Sequence, residues 1–526
     1  MNILLHHLLR TSASKLPDKE ALVHADRRLT YSEVLRKVQG IAAGLRSAGV
    51  NRGERIGIYL DPGIPQILSI FGTTMAGGVF VPINTQLLAD QLHHIARDCR
   101  ISAIITSADK LPSLFNHLRT IGSLRFLVVV GDHGADIEPL KVYDFREFCE
   151  RDGYSRCLDV GISKDLAAIL YTSGSTGKPK GVMLSHANLL AGARIVSSYL
   201  EITASDRILS VLPLTFDAGL NQLTTVFLQG GTLVLINFVF ARQIVEALSK
   251  EQITGLAGVP TVWTLLTQPT STLHKTTLPA LRYITNTGGA MPQSALQILR
   301  STLPKTRIYL MYGLTEAFRS TYLSPEELDR RPTSMGKAIP DTEILVLNDN
   351  GEICAPGEVG ELVHRGPTVS MGYWGNPDAT ARVLRPNPLL PPELGDVERV
   401  CYSGDLVKTD EDGFLYYVGR RDAMIKSSGF RISPTEVEEV VFRSGKVRHA
   451  AAIGVPDDLL GQAVKLFVVP RDERSVQLDK SSLLDFCGEH LPRHMVPKFV
   501  EVLSELPVTS SGKVDYPSLR RREGIA

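Results

Sequence analysis

Apolar positions along the chain fall into short runs separated by stretches with helical spacing. Residues 55–60 (RIGIYL) predict a strand, a turn follows at Pro62-Gly63, residues 64–76 carry helical spacing, and residues 79–83 predict the next strand. Residues 101–106, 126–130 and 166–171 have the same strand character. Strands alternating with helices imply βαβ units and largely parallel sheets. Past residue 340 the texture changes, and the runs at 343–347, 360–364 and 414–418 are short and divided by turn residues, as in a β-rich subdomain. Residues 434–442 then predict an amphipathic helix, and 450–455 and 464–469 predict strands. The fold class expected is α/β: a large N-terminal domain of βαβ subdomains with a β-rich subdomain, residues 1–421, and a small α+β domain, residues 422–526.

The most apolar stretch, residues 223–240, contains Gln229, Gly230, Gly231 and Asn237. It reads as a buried helix, a turn and a strand, because a spanning helix needs about 18 or more uninterrupted apolar residues. The start, MNILLHHLLR, is broken by His6 and His7 and carries its charge after the apolar residues, so no signal peptide is expected. The six cysteines form no CxxC pair and are too sparse for a disulfide framework, which makes reduced thiols and a cytoplasmic location the expectation.

Composition narrows the class further. The 526 residues carry a net charge of +1, with 43% hydrophobic and 21% charged side chains. That is a globular balance, unlike a disordered, coiled-coil or collagen-like chain. It lacks the basic excess of an electrostatic nucleic-acid binder.

The chemistry concentrates in a few segments. Residues 171–181 (YTSGSTGKPKG) follow the apolar run 166–170. Glycine-freed N–H groups, hydroxyls and two lysines are what a polyphosphate requires. The spacing is not Walker A: only Ser175 and Thr176 separate Gly174 from Gly177, and Pro179 follows Lys178. A helical pattern begins at Ala187.

This segment resembles the signature of the AMP-forming adenylating enzymes, the superfamily of acyl-CoA synthetases, nonribosomal adenylation domains and firefly luciferase. Further motifs follow in the superfamily's order over nearly the whole chain. Residues 286–292 (NTGGAMP) resemble its adenine-binding turn, which implies Gly288, Gly289 and Ala290 at the base. Residues 309–316 (YLMYGLTE) resemble its YGxTE motif, which implies Tyr312 and Gly313 at adenine, Thr315 at phosphate and Glu316 at Mg²⁺. A carboxylate beside phosphate requires a cation between them, so that assignment is chemically coherent. Residues 402–405 (YSGD) resemble the ribose site, with Asp405 accepting from the hydroxyls. Residues 419–422 (GRRD) imply Arg420 at ribose or phosphate and Asp422 as a hinge. Residues 426–432 (KSSGFRI) imply Gly429 and Phe430 on the thiol side, and residues 510–519 (SSGKVDYPSL) imply Lys513 as the catalytic lysine. Tyr516 stands where the superfamily often has Arg.

The resemblance implies ATP, Mg²⁺ and CoA, or phosphopantetheine on an acyl or peptidyl carrier protein. The phosphate loop is Thr172, Ser173, Gly174, Ser175, Thr176, Gly177 and Lys180; Thr172 joins Lys513 and Glu316 as catalytic. It also implies a small domain that rotates about Asp422 between adenylation and thioester formation. The substrate is a small carboxylic or amino acid. Residues 212–222 (LPLTFDAGLNQ) occupy the acyl-pocket position, with Asp217 and Asn221 four residues apart. Asp217 reads either as a partner for a substrate ammonium or as a helix N-cap. The segments LPLTFDAGLNQ, YLMYGLTEAFRSTY and GFRISPTEVEE are most similar to stand-alone bacterial acyl-CoA ligases associated with exosortase systems. An ATP-dependent acid–thiol ligase is therefore expected, with a free-standing amino-acid adenylating enzyme as the alternative.

Overall fold

The structure is a computed structural model that describes residues 2–525 apart from 88, 133–137, 152–160, 173–178, 395–396, 422, 428–429, 458–459, 472–478 and 510–512, with the side chains of 392, 426, 430, 431 and 461 also left undescribed. The described strands form four sheets. A nine-stranded sheet has a parallel centre, in which Tyr283–Asn286 lies between Gly255–Gly258 and Arg307–Tyr312. Its edges are antiparallel: Arg27–Thr30 on one side, Thr321–Leu323 and Lys337–Ala338 on the other. A seven-stranded sheet is parallel from Lys141–Asp144 to Leu166–Thr172 and closes with Lys180–Ser185. Helix Ile64–Met75 is buried on almost every face, as expected of an all-round apolar helix enclosed in a large core.

The early expectations at 55–60, 64–76 and 79–83 hold to within a residue or two at their boundaries, and 223–240 contains the expected helix end, turn and strand, from Asp217–Gln229 and Thr232–Leu235. One connection differs. The helix expected from Ala187 begins at His186, but the chain reaches it through a strand, Lys180–Ser185, that was not expected. Leu166–Thr172 and Lys180–Ser185 pair antiparallel, with Thr172 opposite Lys180. The helix His186–Tyr199 begins only after that second strand, capped by Ser185 and Asn188. Strand Lys180–Ser185 carries too few apolar residues to stand out from the loop before it.

The third sheet is antiparallel and five-stranded, built from Glu343–Leu347, Gly360–Arg365, Leu384–Pro386, Arg399–Thr409 and Leu415–Arg420. The fourth contains Val447–Asp457 and Gly461–Pro470, with helix Pro434–Arg443 packed on it. Among the described residues no helix is long and apolar enough to cross a membrane.

The fourth sheet anchors the segment that carries Lys513. Glu438 of helix Pro434–Arg443 is buried, and its Oε1 accepts from the Ala452 N–H at 2.7 Å and from the Tyr516 hydroxyl at 2.8 Å. Tyr516 opens helix Tyr516–Arg522, three residues after Lys513. Burial pushes the Glu438 carboxyl up to about 8, from an ordinary value of 4.5. A raised native value means that the folded state binds the proton more tightly. The stabilisation is complete below about pH 4.5 and is lost as pH rises through about 8. Glu438→Gln keeps both hydrogen bonds and removes the proton. Its thermal midpoint, followed by calorimetry from pH 5 to 9, should lose the part of the downward slope that Glu438 contributes in the wild type.

Candidate active site

The carboxyl ends of Gly255–Gly258, Tyr283–Asn286 and Arg307–Tyr312 point the same way, and the loops that follow them converge. In open parallel sheets, that edge is where ligands bind. After Asn286 the chain turns at Gly288, whose φ is +79°. The Asn286 Nδ2 donates to the Gly289 carbonyl at 2.8 Å and closes the turn, leaving Gly289 and Ala290 exposed. The Lys513 side chain lies against this turn. A Cβ on Gly288 would stand 3.3 Å from Lys513 Cε and 3.8 Å from its Nζ. The structure thus brings Lys513 to the predicted adenine-binding turn across 225 residues of sequence.

Strand Arg307–Tyr312 leads into a second loop. Thr315–Ala317 form a 3₁₀ turn that carries Thr315 and Glu316. Phe318 and Arg319 follow with φ of +31° and +109°, two consecutive non-glycine residues in a region that costs each of them on the order of 1–3 kcal/mol. Gly313 makes the reversal possible, because a Cβ there would sit 2.9 Å from Arg319 Cα. The buried His364 holds the far side, its Nδ1 3.0 Å from Ser320 Oγ and its Nε2 3.0 Å from Thr368 Oγ1. Burial lowers its pKa to about 3, so the ring is neutral at physiological pH.

Two hydroxyls tie this loop to the other sheets. The Tyr312 hydroxyl donates to Asp405 Oδ2. Asp405 lies on Arg399–Thr409 opposite Arg420, whose Nη1 reaches Asp405 Oδ1 at 3.2 Å and the Ser403 carbonyl at 3.0 Å. Gly404 adopts φ +73° beneath that guanidinium. Burial and the adjacent Asp405 carboxylate drive the Tyr312 phenol well above its ordinary value, so it remains a donor. The Tyr373 hydroxyl donates to Glu316 Oε1 at 2.6 Å, and the Ser370 N–H donates to the Glu316 carbonyl at 2.8 Å.

Tyr373 escaped the sequence reading. Its segment pairs with the strand after the glycine-rich turn: the Met183 N–H reaches the Gly372 carbonyl at 2.8 Å, and the Trp374 N–H reaches the Gly181 carbonyl at 2.8 Å. Lys180 Nζ sits 5.6 Å from the Tyr373 ring centroid. The aromatic pair inside the turn-rich residues 371–375 (MGYWG) was the available signal. Aromatics in such a turn generally fix it against a neighbour.

Asp217 and Asn221 share helix Asp217–Gln229. Phe216 is the N-cap and Asp217 the first helical residue, so the capping alternative for Asp217 is corrected. The helix packs so closely that a Cβ on Gly219 would stand 2.1 Å from the Pro213 carbonyl oxygen, which draws the first turn onto residues 212–213. Asp217 makes no hydrogen bond or ion pair with any other side chain among the described residues. Ser173, Gly174, Ser175, Thr176 and Gly177, the hinge Asp422 and Gly429 lie outside the described residues, as does the Phe430 side chain.

The arrangement suits a magnesium nucleotide. Among the described residues no three His, Cys, Asp or Glu side chains gather into a metal cage. Mg²⁺ instead takes one or two carboxylates and completes its shell with substrate phosphates and water. Glu316 has one oxygen held by Tyr373 and is only partly buried, which fits that role.

Sequence comparison agrees with the geometry. Residues 9–374 match the AMP-binding enzyme family and residues 436–513 match the AMP-binding enzyme C-terminal domain. A feruloyl-CoA synthase from Amycolatopsis sp is 33% identical over 521 residues, covering 97% of this chain and 96% of the relative. A long-chain-fatty-acid–CoA ligase from Salmonella typhimurium is 30% identical over 545 residues, covering 98% of this chain and 93% of the relative. The ATP-bound crystal structure of MatB from Rhodopseudomonas palustris superposes with a TM-score of 0.87 at 25% identity, covering 98% of each chain. The chain belongs to the AMP-binding enzyme family. It is an AMP-forming ligase of the acyl-CoA synthetase type, which joins an acid to a thiol through an acyl-adenylate.

Gly288→Ala tests the approach of Lys513. An alanine at φ +79° is strained, and its methyl would crowd Lys513 Cε at 3.3 Å. ATP–pyrophosphate exchange should fall about tenfold to a hundredfold, with the fold retained by circular dichroism.

Proposed function

We propose that this chain activates a small carboxylic acid with ATP and passes it to CoA, using two arrangements of a small domain, residues 422–526, about Asp422. The observation that carries this is the Lys513 side chain lying on the Gly288 turn at the carboxyl edge of the parallel strands, beside the Tyr312–Asp405–Arg420 network. In the first half-reaction an acid oxygen attacks the α-phosphorus in line, the bond to the β-phosphate breaks, and pyrophosphate leaves. Negative charge spreads over the phosphate oxygens, and cations positioned beforehand stabilise it without reorganisation.

In this reading Lys513 supplies one such cation, and Thr172, Thr315 and the 173–177 turn donate to the phosphates. Gly288, Gly289 and Ala290 form the flat approach for adenine, which Tyr312 flanks with its ring held by Asp405. Each Asp405 oxygen retains lone pairs for ribose hydroxyls, and Arg420 sets the carboxylate's orientation. Glu316, oriented by Tyr373, would hold Mg²⁺, which when bound neutralises phosphate charge. The adenylate is a mixed anhydride. A thiolate attacks its carbonyl and AMP leaves, with Gly429 and Phe430 in place of Lys513 after rotation. We place the reaction in the cytoplasm. The five described cysteines are all buried and unpaired, in keeping with a reducing compartment.

A second reading is favoured by the unpartnered Asp217. A carboxylate at the start of a buried helix suits a substrate α-ammonium, as in enzymes that load amino acids onto a carrier protein.

Two measurements decide between these readings. Lys513→Ala should lower ATP–pyrophosphate exchange by at least about a hundredfold and leave thioester formation from a supplied acyl-adenylate near the wild-type rate. Equal loss of both steps refutes the two-arrangement mechanism. Across a panel of amino acids and simple acids, Asp217→Ala should leave exchange with simple acids unchanged. Exchange confined to amino acids and abolished by that substitution selects the second reading.

A further inference from the structure

The loop after Glu316 buries a cation that the reaction above does not use. Arg319 is 5% exposed. Its Nη1 donates to the Thr287 hydroxyl at 3.0 Å, while its Nε is buried without a hydrogen-bond partner. Among the described residues no carboxylate lies within ion-pairing distance of it. Arginine cannot relieve this by losing its proton. A buried charge without a counter-ion is strongly unfavourable, and in a binding site the missing partner is supplied by the ligand.

The surroundings repeat the pattern. Asn221 is 2% exposed and its Nδ2 also lacks a partner. A Cβ on Gly192 would stand 3.5 Å from that nitrogen and 2.5 Å from the Phe318 ring, so Asn221 and the Phe318–Arg319 turn share one neighbourhood. Tyr199 is partly buried there, stacked on Tyr322 with ring centroids 4.2 Å apart. The Arg319 charge acts on its phenol, opposing the upward push of burial. Thr287, which holds the guanidinium, directly precedes Gly288, where Lys513 rests. Two cations therefore stand at the end of one strand: an exposed lysine at the nucleotide turn and a buried arginine beside it.

We infer that Arg319 is a specificity-determining residue that binds a second carboxylate on the acid substrate, with the Asn221 amide as an additional donor. The substrate class is a dicarboxylic acid: one carboxylate reacts with ATP near Lys513, and the other pairs with the guanidinium. This rests on the ligase reading above and names the substrate class of that site. The strained backbone at Phe318 and Arg319 and the close packing of Gly313 hold the guanidinium in place before substrate arrives.

The test is ATP–pyrophosphate exchange with matched acids, hexanoate against adipate and benzoate against isophthalate, on wild type, Arg319→Gln and Arg319→Lys. The wild type should prefer at least one dicarboxylate over its matched monocarboxylate by about a hundredfold or more in kcat/KM. Arg319→Gln should erase that preference mainly through KM, Arg319→Lys should keep part of it, and monocarboxylate turnover should be unchanged or improved. A fall in all acids alike, or equal wild-type kcat/KM within both pairs, overturns the assignment while leaving the ligase reading intact. The wild-type comparison decides even if Arg319→Gln fails to fold. Preference for a neutral hydroxylated acid, ω-hydroxyhexanoate, over adipate overturns the second charge. Absence of exchange with every acid counts against the ligase reading itself and removes this inference with it.

Discussion

The Asp405 carboxylate joins two sheets at the candidate site, where backbone pairing of Gly336 with Leu415 already brings them together. One oxygen accepts from Tyr312, at the end of the nine-stranded sheet, and the other from Arg420, on its own antiparallel sheet. Glu316 and Tyr373 make a second joint, since Tyr373 belongs to a segment paired with the strand that follows the glycine-rich turn. The seven-stranded sheet is thereby tied to the same loop. Hydrogen bonds to a charged group contribute roughly 1.5–3 kcal/mol each, and they are directional. They set distances between strand Lys180–Ser185, the loop after Arg307–Tyr312 and the Asp405 strand that apolar packing alone leaves loose.

Two buried charged side chains near this centre meet the cost of burial in different ways. Glu438 lacks a cation and takes up a proton, since its pKa is raised to about 8. Where the superfamily often has Arg, this chain has Tyr516, and a phenol pairs with a neutral carboxyl without a buried charge. Arg319 has no such exit. A guanidinium cannot shed its charge in this way, and in the inference above its unpartnered Nε points to a ligand whereas the equally buried Glu438 points to a structural role.

The strained turn at Phe318 and Arg319 follows the same logic. Left-handed conformations at two non-glycine residues persist only where the surroundings over-determine them. Here Gly313 below, His364 beside and the pairing of Thr321–Leu323 with Arg307–Tyr312 supply that constraint. In the proposed reading this loop presents Glu316 to the nucleotide and Arg319 to the acid.

By itself the sequence determined the strand–helix alternation and the change of texture past residue 340, because apolar periodicity is a local property, and its resemblance to the adenylating superfamily supplied the motifs of the expected nucleotide site. It was also enough to mark Lys513, Glu316, Asp405 and Asp217 as chemical candidates. Only the tertiary structure decided that Lys180–Ser185 pairs antiparallel with Leu166–Thr172, since that strand is defined by its partner and not by its own composition. Tertiary packing likewise brought Tyr373 to Glu316, Tyr516 to Glu438 and Arg319 into a place without a counter-ion among the described residues. Each of those depends on contacts across dozens to hundreds of residues, where burial and the absence of a partner are set by the assembled fold.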